Sequence, residues 1–454
     1  MYKKTLLFLS VVPMLFFAGC VRDFEQEDKE MAVLLEQSLQ QEILAPWYPT
    51  VMDTIYGGYL SNLGHDFSED TLQDKATLAQ ARHLWSLSQA YMSYPEKEEY
   101  KTMADSGFAF LKKYSFDIYG GGFFELLTRD GKVIVRMVAD KSATTNAYAI
   151  YGLAAYYKAT GNIDALTLAQ ETFWWLEQGR DPIGKGYFEN LKRSGVPRFY
   201  KPLLSVITAD NTTNFKSQNS TVHLMEAFTE LYKVWPDSLL HERTKELLLI
   251  TRDKLVTEEG YLNQYFQADW TPVLYPDSSD TAIRGYLKDI MKVSPGHDIE
   301  TGYLMLEAMN ALGYDDPITK EVAKKLIDHT IDNAFDQNTG GVFYEGLYPP
   351  KGDRDTLEIL TRDKVWWVQA ETLNSLHMMA HLYPSDKRDY FSLYQKQWAY
   401  IDEYLIDHEY GGWYWSGLDL NPESKEKNKS GIWKTTYHTY RALDNVINRS
   451  GNED

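Results

Sequence analysis

Cysteine is nearly absent from this chain: Cys20 is the single cysteine among 454 residues. One thiol cannot form an internal disulfide bond or a cysteine-based metal cluster, and it leaves no other thiol nucleophile in the sequence. Positive charge is scarce as well, because 46 Lys and Arg residues face 65 Asp and Glu residues and give a net charge of −19. Phosphate backbones repel so acidic a chain, so no nucleic acid partner is expected.

A long hydrophobic run is also missing. The apolar segment from Leu6 to Phe17 is too short to remain in a membrane as a spanning helix, and no later segment is apolar enough to span one. Lys3 and Lys4 precede this segment, as in the basic region of a secretory signal peptide.

This apolar segment ends in Phe-Ala-Gly-Cys at positions 17–20, which resembles the lipobox of bacterial lipoproteins. It predicts a lipoprotein signal peptide over residues 1–19, lipidation of Cys20 and a short acidic tether over residues 20–30. The expected location is outside the cytoplasm, at the periplasmic face or cell surface, with membrane contact through the lipid anchor only. A core cysteine in a cytosolic protein is the alternative.

Several catalytic signatures are lacking. The sequence contains neither a phosphate-binding P-loop nor a dinucleotide-binding glycine motif after a predicted strand. His377 and His381 have the spacing of a metal-binding pair, but Met378, Met379 and Ala380 separate them, without the glutamate of a metalloprotease. One packed helix face explains the pair better, so no metal site is predicted. With 65 acids available, a pair of acids for glycoside hydrolysis stays open.

Aromatic residues, by contrast, are abundant. They make up 14% of the chain, with 12 Trp and 33 Tyr. Aromatic faces bind the flat C–H surfaces of sugar rings, and they also fill large helical cores. Composition alone therefore leaves both uses open.

A glycine followed by an aromatic or aliphatic residue recurs six times, at intervals of 64 to 81 residues. The six pairs are Gly58-Tyr59, Gly122-Phe123, Gly186-Tyr187, Gly260-Tyr261, Gly341-Val342 and Gly412-Trp413. Segments with helical periodicity, such as residues 224–235, lie between the pairs, and each interval has room for two helices and a loop. Six helix pairs predict a closed (α/α)6 barrel, with an open helical array as the alternative.

The loops of this barrel are expected to carry short β-hairpins, for example at residues 122–125. No Pro- or Ser-rich linker divides the chain. The helical repeats therefore predict one large all-α domain over residues 31–450.

Three of only ten histidines lie in distinctive settings. His223 follows Asn219 by one helical turn, so both side chains share a helix face beside an apolar stripe. His297 follows a Pro-Gly helix start and precedes Glu300 by nearly one turn, where a carboxylate can orient an imidazole and raise its basicity. His438 lies in the third setting, Trp-Lys-Thr-Thr-Tyr-His. Each alone suits a structural role, but near helix starts of a closed barrel the three would converge on one mouth.

Other candidates fit the same mouth. The guanidinium of Arg82 is permanently charged and can hold an oxyanion, although a helix-packing cation is its simpler role. Trp366 and Trp367 are adjacent on a predicted helix and point about 100° apart. We therefore expect at most one of them to face a ligand squarely.

Four motifs in order resemble the N-acylglucosamine 2-epimerase superfamily, and within it the cellobiose 2-epimerases. Residues 219–227 are similar to the segment N-x-x-M-H-L-L-E-A, and residues 296–300 read G-H-D-I-E. Residues 366–371 read W-W-V-Q-A-E, and residues 433–442 are similar to W-K-x-x-Y-H-x-x-R-A. The resemblance extends from about Arg82 to Leu443.

This resemblance implies an (α/α)6 barrel without metal or redox cofactor, and inversion at C2 of a reducing-end sugar. By motif it implies that His297 and His438 form the acid–base pair, that His223 assists ring opening, and that Arg82 helps to hold the enediolate oxygen. The implied substrate-binding residues are Asn219, Glu300, Trp366, Trp367 and Trp433.

The chain departs from the family pattern at two places. Val222 replaces the usual methionine before His223. Residues 141–148 are similar to K-x-x-Y-x-Q-A-F, but Thr144 occupies the tyrosine position. Direct contacts with the sugar are expected to differ accordingly.

The chemistry of the candidate residues agrees with an epimerase, an isomerase that needs no cofactor. A proton on C2 beside an aldehyde is weakly acidic, and its removal needs a base and a group that stabilises the enediolate. The expected partner is a small carbohydrate, a β-linked disaccharide or oligosaccharide of the cellobiose or mannobiose type. An aldose–ketose isomerase, a glycoside hydrolase or lyase, and a glycan-binding lipoprotein remain alternatives, and the sequence leaves the oligomeric state open.

Overall fold

Helices dominate the computed structural model, which describes residues 24–134, 140–199, 215–274, 290–348 and 356–451. Twelve helices of 13 to 18 residues lie within these ranges. They are α1 Phe24–Ser38, α2 Thr77–Ser93, α3 Glu98–Phe110, α4 Ala143–Thr160, α5 Ile163–Leu176, α6 Gln218–Val234, α7 Ser238–Ile250, α8 Pro295–Ala311, α9 Pro317–Ala334, α10 Trp366–Leu382, α11 Tyr390–Tyr404 and α12 Tyr437–Gly451. Shorter helical turns, such as Ala45–Trp47, lie between some of them.

The even-numbered helices form a closed inner ring. Each packs on the next, from α2 through α4, α6, α8 and α10 to α12, and α12 returns to α2. The odd-numbered helices form the outer layer, where α3, α5, α7, α9 and α11 each pack on the preceding inner helix and α1 packs on α12. The predicted (α/α)6 barrel is therefore confirmed.

The inner helices are apolar on nearly all sides because they contact helices on both flanks and outside. In α4 every residue from Ala143 to Tyr156 is buried. Gly152 allows α4 to approach α2 closely, since a Cβ at this position would lie 2.5 Å from the carbonyl oxygen of Ala81. The hydroxyl groups of Ser142 and Ser217 cap α4 and α6 by accepting backbone N–H bonds from the first turn.

The six glycines of the sequence repeat lie in turns that follow the outer helices. All six have positive φ, which glycine adopts without strain. In five of these turns an aspartate pairs with a buried lysine that lies later in the same connection, before the next inner helix. The pairs are Asp53–Lys75, Asp117–Lys141, Asp181–Lys216, Asp336–Lys364 and Asp407–Lys429.

The described residues include four small antiparallel sheets at the end of the barrel where the inner helices begin. Their strands are β1 Lys75–Ala76, β2 Leu126–Leu127, β3 Asp140–Ser142, β4 Asn190–Lys192, β5 Lys216–Ser217, β6 Tyr265–Phe266, β7 Glu345–Leu347 and β8 Glu358–Thr361. The pairs are β1–β2, β3–β4, β5–β6 and β7–β8. Three of these sheets join successive loops of the repeat.

The hairpin expected at residues 122–125 takes a smaller form than the sequence suggests. Phe123 makes a single antiparallel bridge with Phe116 across the glycine turn. The residues that follow pair as β2 with β1 of the previous loop. The loop strands therefore link neighbouring repeats, which the local sequence pattern does not reveal.

The N-terminal helix corrects the tether predicted for residues 20–30. Residues 24–30 belong to α1, so the folded domain includes Phe24 and does not begin at residue 31. Asp28 is buried and its carboxylate lies 2.9 Å from Nε2 of His377 and 3.2 Å from Nε2 of His381. Burial alone would raise the pKa of Asp28, but these two imidazoles hold it well below its usual value. The predicted signal peptide, Cys20 and residues 21–23 lie outside the described residues.

The same contacts explain the histidine pair of α10. Arg449 places Nη1 2.7 Å from Nδ1 of His377, and a guanidinium can only donate. The imidazole proton of His377 therefore lies on Nε2, where it is donated to Asp28. This arrangement fits the predicted core role of His377. Within the described ranges, no helix has the length and apolar character needed to cross a membrane.

Asp298, the fourth residue of α8, is a buried acid at a position where other inner helices have a side-chain amide. Gln80 accepts the N–H of Tyr59 and donates to its carbonyl oxygen, and Gln369 does the same with Val342. Asp298 is fully buried and accepts the N–H of Leu262 at 2.9 Å, but its other oxygen has no hydrogen-bond partner. Burial raises the pKa of Asp298 well above its ordinary value.

We expect Asp298→Asn to stabilise the fold at neutral pH, because an amide completes the second hydrogen bond without a proton. Above the unfolded pKa of about 3.9, the wild type loses up to about 1.4 kcal/mol of stability per pH unit until its raised folded pKa is reached. The gain in unfolding temperature, followed by circular dichroism, should therefore be larger at pH 7.5 than at pH 5. Asp298→Leu, which orphans the N–H of Leu262, should destabilise at both. Equal shifts of the Asn variant at the two pH values would contradict this account.

Candidate active site

A cavity of about 460 Å³ opens among the first turns of the inner helices. All nine described site residues from the sequence line it. They are Arg82, Asn219, His223, His297, Glu300, Trp366, Trp367, Trp433 and His438. The closed ring therefore brings together residues from five of the six inner helices and, with Trp433, from the loop before α12.

The register of the helices sets the depth of each side chain. Arg82, Tyr148, His223, Glu300 and Glu371 are each the sixth residue of their inner helix. Equal positions on helices that start at one end of a barrel lie at one level. His297 and His438 are the third and second residues of α8 and α12, so they lie nearer to the mouth.

Below the cavity, a single guanidinium joins three carboxylates. Arg441 of α12 is 1% exposed, and its Nη2 donates to Glu300 at 2.6 Å and to Glu371 at 2.7 Å. Its Nη1 donates to Glu226, which also accepts the hydroxyl of Tyr437. The cluster connects α6, α8 and α10 to α12.

One cation cannot neutralise three buried carboxylates. Burial and the neighbouring Glu371 raise the pKa of Glu300 to about 7, and burial raises the pKa of Glu371 to about 7. Glu226 differs, because Arg441 and His223 outweigh its burial and lower its pKa to about 2. The cluster can therefore hold or release a proton near neutral pH.

His438 is oriented by this cluster. Its Nδ1 lies 2.7 Å from Oε1 of Glu371. Because a carboxylate accepts, the proton of neutral His438 lies on Nδ1 and its Nε2 keeps a free lone pair. Burial and the guanidinium groups of Arg82 and Arg441 hold the pKa of His438 well below its usual value, which keeps the imidazole neutral.

His297 has a different partner from the one expected. The sequence suggested that Glu300 orients it, but Glu300 binds Arg441, and Nδ1 of His297 lies 3.2 Å from the side-chain amide of Gln218. The physical reason is the ring order, since α6 and α8 are neighbours and the first residue of α6 faces the third of α8. Burial, with the positive charges around it, lowers the pKa of His297 to about 3.

The amide of Gln218 decides which nitrogen of His297 carries the proton. As placed, Oε1 of Gln218 and Nε2 of the adjacent Gln264 are buried without partners. The two ends of a carboxamide have the same shape, so their assignment follows from the hydrogen bonds. Reversing both amides lets Oε1 of Gln218 accept from Gln264 and from Nδ1 of His297. The lone pair of His297 then lies on Nε2.

His223 is held on α6, beside His297 and Glu300 of the neighbouring α8. Its Nδ1 lies 2.9 Å from Oε2 of Glu226, and the hydroxyl of Tyr148 is 3.1 Å from Nδ1 and 3.2 Å from Nε2. Arg82 donates from Nη2 to that hydroxyl at 2.7 Å and from Nη1 to the carbonyl oxygen of Trp433 at 2.9 Å. The guanidinium is therefore fixed at the cavity wall.

Trp366 and Trp367 form part of the cavity wall, whereas Trp433 lies at its outer edge. Trp367 lies between the two upper histidines, with ring centroids 4.9 Å from His297 and 5.6 Å from His438. Trp366 is buried and packs on Trp415 at 4.4 Å, and it also lines the cavity. Trp433 is 60% exposed and forms the outer edge.

Among the described residues at the cavity, two groups of side chains have the donor spacing of a metal site: His223, His297 and Glu300, and Glu300, Glu371 and His438. Both groups include Glu300, which already binds the guanidinium of Arg441. The fixed positive charge therefore comes from the chain itself. Asn219 does not contact these groups and donates instead to Thr144 at 3.3 Å.

Sequence reasoning did not single out five residues of this site: Gln218, Glu226, Glu371, Arg441 and Tyr148. Three of them carry a signal, because Glu226, Glu371 and Arg441 are charges within otherwise apolar helix stretches, and such charges need a buried partner. Gln218 carries no comparable signal. Tyr148 stands at the phenylalanine position of the K-x-x-Y-x-Q-A-F segment, one turn after Thr144.

The chain is similar over most of its length to known sugar epimerases and isomerases. A cellobiose 2-epimerase of Bacteroides fragilis is 27% identical over 424 residues, which cover 90% of this chain and 98% of that protein. The solved structure of cellobiose 2-epimerase from Spirochaeta thermophila is 28% identical, with a TM-score of 0.77 and coverage of 94% and 98%. A D-mannose isomerase of Marinomonas mediterranea is 25% identical, over 90% of this chain and 95% of that protein.

The family model of N-acylglucosamine 2-epimerase matches residues 58–442, which include every described residue of the site. The match extends over all six inner helices, from the turn before α2 into α12. The chain therefore belongs to the N-acylglucosamine 2-epimerase family of carbohydrate epimerases.

Proposed function

We propose that this protein inverts C2 of the reducing-end sugar of a β-linked disaccharide or oligosaccharide of the cellobiose or mannobiose type. The observation that carries the proposal is the pair of neutral imidazoles, His297 and His438, which flank the ring of Trp367 at the cavity mouth. Inversion needs a proton to leave one face of C2 and another to arrive from the opposite face.

The chemistry proceeds through three stages. Ring opening exposes the aldehyde, and one imidazole then removes the C2 proton to give an enediolate. Arg82, whose charge is fixed at the wall by Trp433 and Tyr148, stabilises the oxygen that becomes negative. The other imidazole returns a proton to the opposite face, and when this imidazole is His438 the carboxylate cluster supplies the proton. Glu371 links His438 to that cluster.

The shape of the mouth supports a substrate longer than one sugar. The exposed indole of Trp433 lies outside the histidine level and offers a stacking face to a second unit. The 460 Å³ cavity below it accommodates the reacting sugar.

An aldose–ketose isomerase is the second candidate. It uses the same enediolate but returns the proton to C1, and the Marinomonas relative is named a D-mannose isomerase. Proton NMR of candidate sugars in D2O separates the outcomes, because an epimerase places deuterium at C2 of an aldose and an isomerase yields a ketose with deuterium at C1.

Paired-acid hydrolysis finds less support in the site. Glu300 and Glu371 share one nitrogen of Arg441 on the same side of the cavity, so they do not flank a glycosidic bond. We also propose that the protein is a lipoprotein anchored at Cys20, because the lipobox-like segment precedes the only cysteine.

Replacing His297 or His438 by Asn should lower the epimerisation rate by about 10²–10⁴-fold, because each is one end of a proton shuttle. The double variant should be little slower than either single one. His377→Asn is the matched control, since His377 is buried against Asp28 far from the cavity and should change thermal stability and not turnover. A folded His297 or His438 variant with more than about a tenth of the wild-type rate would exclude this shuttle.

Gln218→Glu should move the acid limb of the pH profile of kcat/KM upward. A carboxylate beside Nδ1 favours the charged imidazole and raises the low pKa of His297, so the base becomes protonated at a higher pH than in the wild type. Gln218→Met, of similar size, should reduce kcat without raising that limb. An unchanged acid limb in the Glu variant, with its fold intact, would show that Gln218 does not set the protonation of His297.

Lipidation predicts that Cys20 becomes the first residue of the mature chain and carries acyl groups. Mass spectrometry of the protein purified from its own membrane fraction should show the modified N-terminal peptide, and Cys20→Ser should release the protein into the soluble fraction. An intact Met1 or an unmodified Cys20 would refute the anchor.

A further inference from the structure

The hydroxyl of Tyr148 lies where three site functions meet. Tyr148 lines the cavity, and its Oη is 2.7 Å from Nη2 of Arg82 and within 3.2 Å of both ring nitrogens of His223. The Tyr148 ring also contacts the His223 ring at 4.8 Å and the Arg82 guanidinium at 4.3 Å. These contacts place one phenol between a fixed cation and an imidazole.

The hydrogen bonds that link Arg82, Tyr148, His223 and Glu226 have a defined donor and acceptor at each step. Arg82 can only donate, so Oη of Tyr148 accepts from it. Glu226 is ionised and can only accept, so Nδ1 of His223 donates to it at 2.9 Å. Nε2 of neutral His223 therefore carries the lone pair, and the remaining proton of Tyr148 is donated there at 3.2 Å.

We propose that Tyr148 and His223 form a ring-opening device that catalyses interconversion of sugar anomers independently of the chemistry at C2. The inference deepens the proposed function and rests on it only for the identity of the substrate as a reducing sugar. It adds a second activity, mutarotation, to the site and assigns the direct proton contact with the sugar to Tyr148.

The proton steps balance without another reactant. Oη of Tyr148 takes the proton of the anomeric O1–H while its own proton passes to Nε2 of His223, the C1=O1 double bond forms and the C1–O5 bond breaks. His223 then returns its proton through Tyr148 to O5. O1 and O5 are both bonded to C1, so one hydroxyl reaches both. The imidazolium that forms is stabilised by Glu226, and negative charge on Oη or O1 by Arg82.

This assignment fits the change in sequence around the site. Because Thr144 occupies the tyrosine position of the family segment, the aromatic hydroxyl expected in the first turn of α4 is missing. Tyr148 provides an aromatic hydroxyl one turn further along α4, at the level of Arg82 and His223. The hydroxyl of Thr144 lies 3.2 Å from Glu189 and accepts from Asn219, so it is directed away from His223.

The experiment uses His297→Asn as the background, because loss of the C2 base leaves ring opening measurable alone. Polarimetry of freshly dissolved β-cellobiose follows the approach to anomeric equilibrium. His297→Asn should accelerate it above buffer, and adding Tyr148→Phe should remove at least about nine-tenths of that acceleration, as expected for a lost acid–base group. Equal mutarotation by His297→Asn with and without Tyr148→Phe, or none above buffer in either, would overturn the proposal.

Tyr151→Phe is the matched control. Tyr151 is buried one turn further along the same helix and stacks on Trp85 at 5.3 Å, outside the residues that line the cavity. Its loss of a hydroxyl should leave mutarotation unchanged. Circular dichroism of each variant confirms that the fold survives, and a drop in mutarotation with Tyr151→Phe as large as with Tyr148→Phe would mean that the effect is structural.

A second measurement separates ring opening from C2 chemistry. Glyceraldehyde cannot form a pyranose ring, so deuterium exchange at its C2 in D2O bypasses the opening step. In an otherwise wild-type chain, Tyr148→Phe also removes one of the hydrogen bonds that hold Arg82, so both reactions should slow. The reaction of cellobiose should lose about 10-fold or more beyond the loss measured for exchange of glyceraldehyde. Equal losses on both substrates would place Tyr148 in the C2 step and refute the proposal. Wild-type mutarotation without deuterium at C2 of any sugar would instead refute the epimerase and leave the ring-opening device standing.

Discussion

The buried guanidinium of Arg441 is the contact on which the site depends. It binds carboxylates from α6, α8 and α10, and its own helix α12 closes the ring against α2. Removing one partner of such a buried ion cluster typically costs about 3–5 kcal/mol, because the remaining charges stay desolvated and unpaired. The same side chain therefore closes the barrel and fixes the carboxylates that orient His223 and His438.

The cluster also sets the charge state of the site. Three carboxylates and one guanidinium leave an excess of negative charge. Burial and this excess of negative charge raise the pKa of Glu300 and of Glu371 to about 7. The imidazoles above have lowered pKa values, since burial disfavours their charged forms. Between turnovers the proton therefore stays on the carboxylates, and its transfer to an imidazole becomes favourable only when negative charge develops on the substrate beside that imidazole.

Much of the fold and site could be predicted from the sequence, because both repeat. The six glycine turns indicated six helix pairs, and all nine described candidate residues line one cavity. What could not be predicted depends on side chains that meet across the ring. Gln218 reaches His297 only because α6 and α8 are neighbours, and Glu300 turns to Arg441, a partner 141 positions away. The acidic stretch before residue 31 read as a tether because the histidines that bind Asp28 lie at the other end of the chain.

The direction of α1 has a consequence for how the barrel meets its surroundings. Phe24 packs on His381 and Phe391, near the end of α10 that lies farthest from Trp367 and the cavity. Fourteen residues of helix separate Trp367 from His381, which is about 21 Å along the barrel axis. With the proposed lipid on Cys20, the chain from Cys20 to Phe24 spans at most about 14 Å. The lipid would therefore hold the end of the barrel opposite the cavity close to the membrane. The opening would then face outward, where the free end of a glycan chain can enter without first passing between protein and membrane.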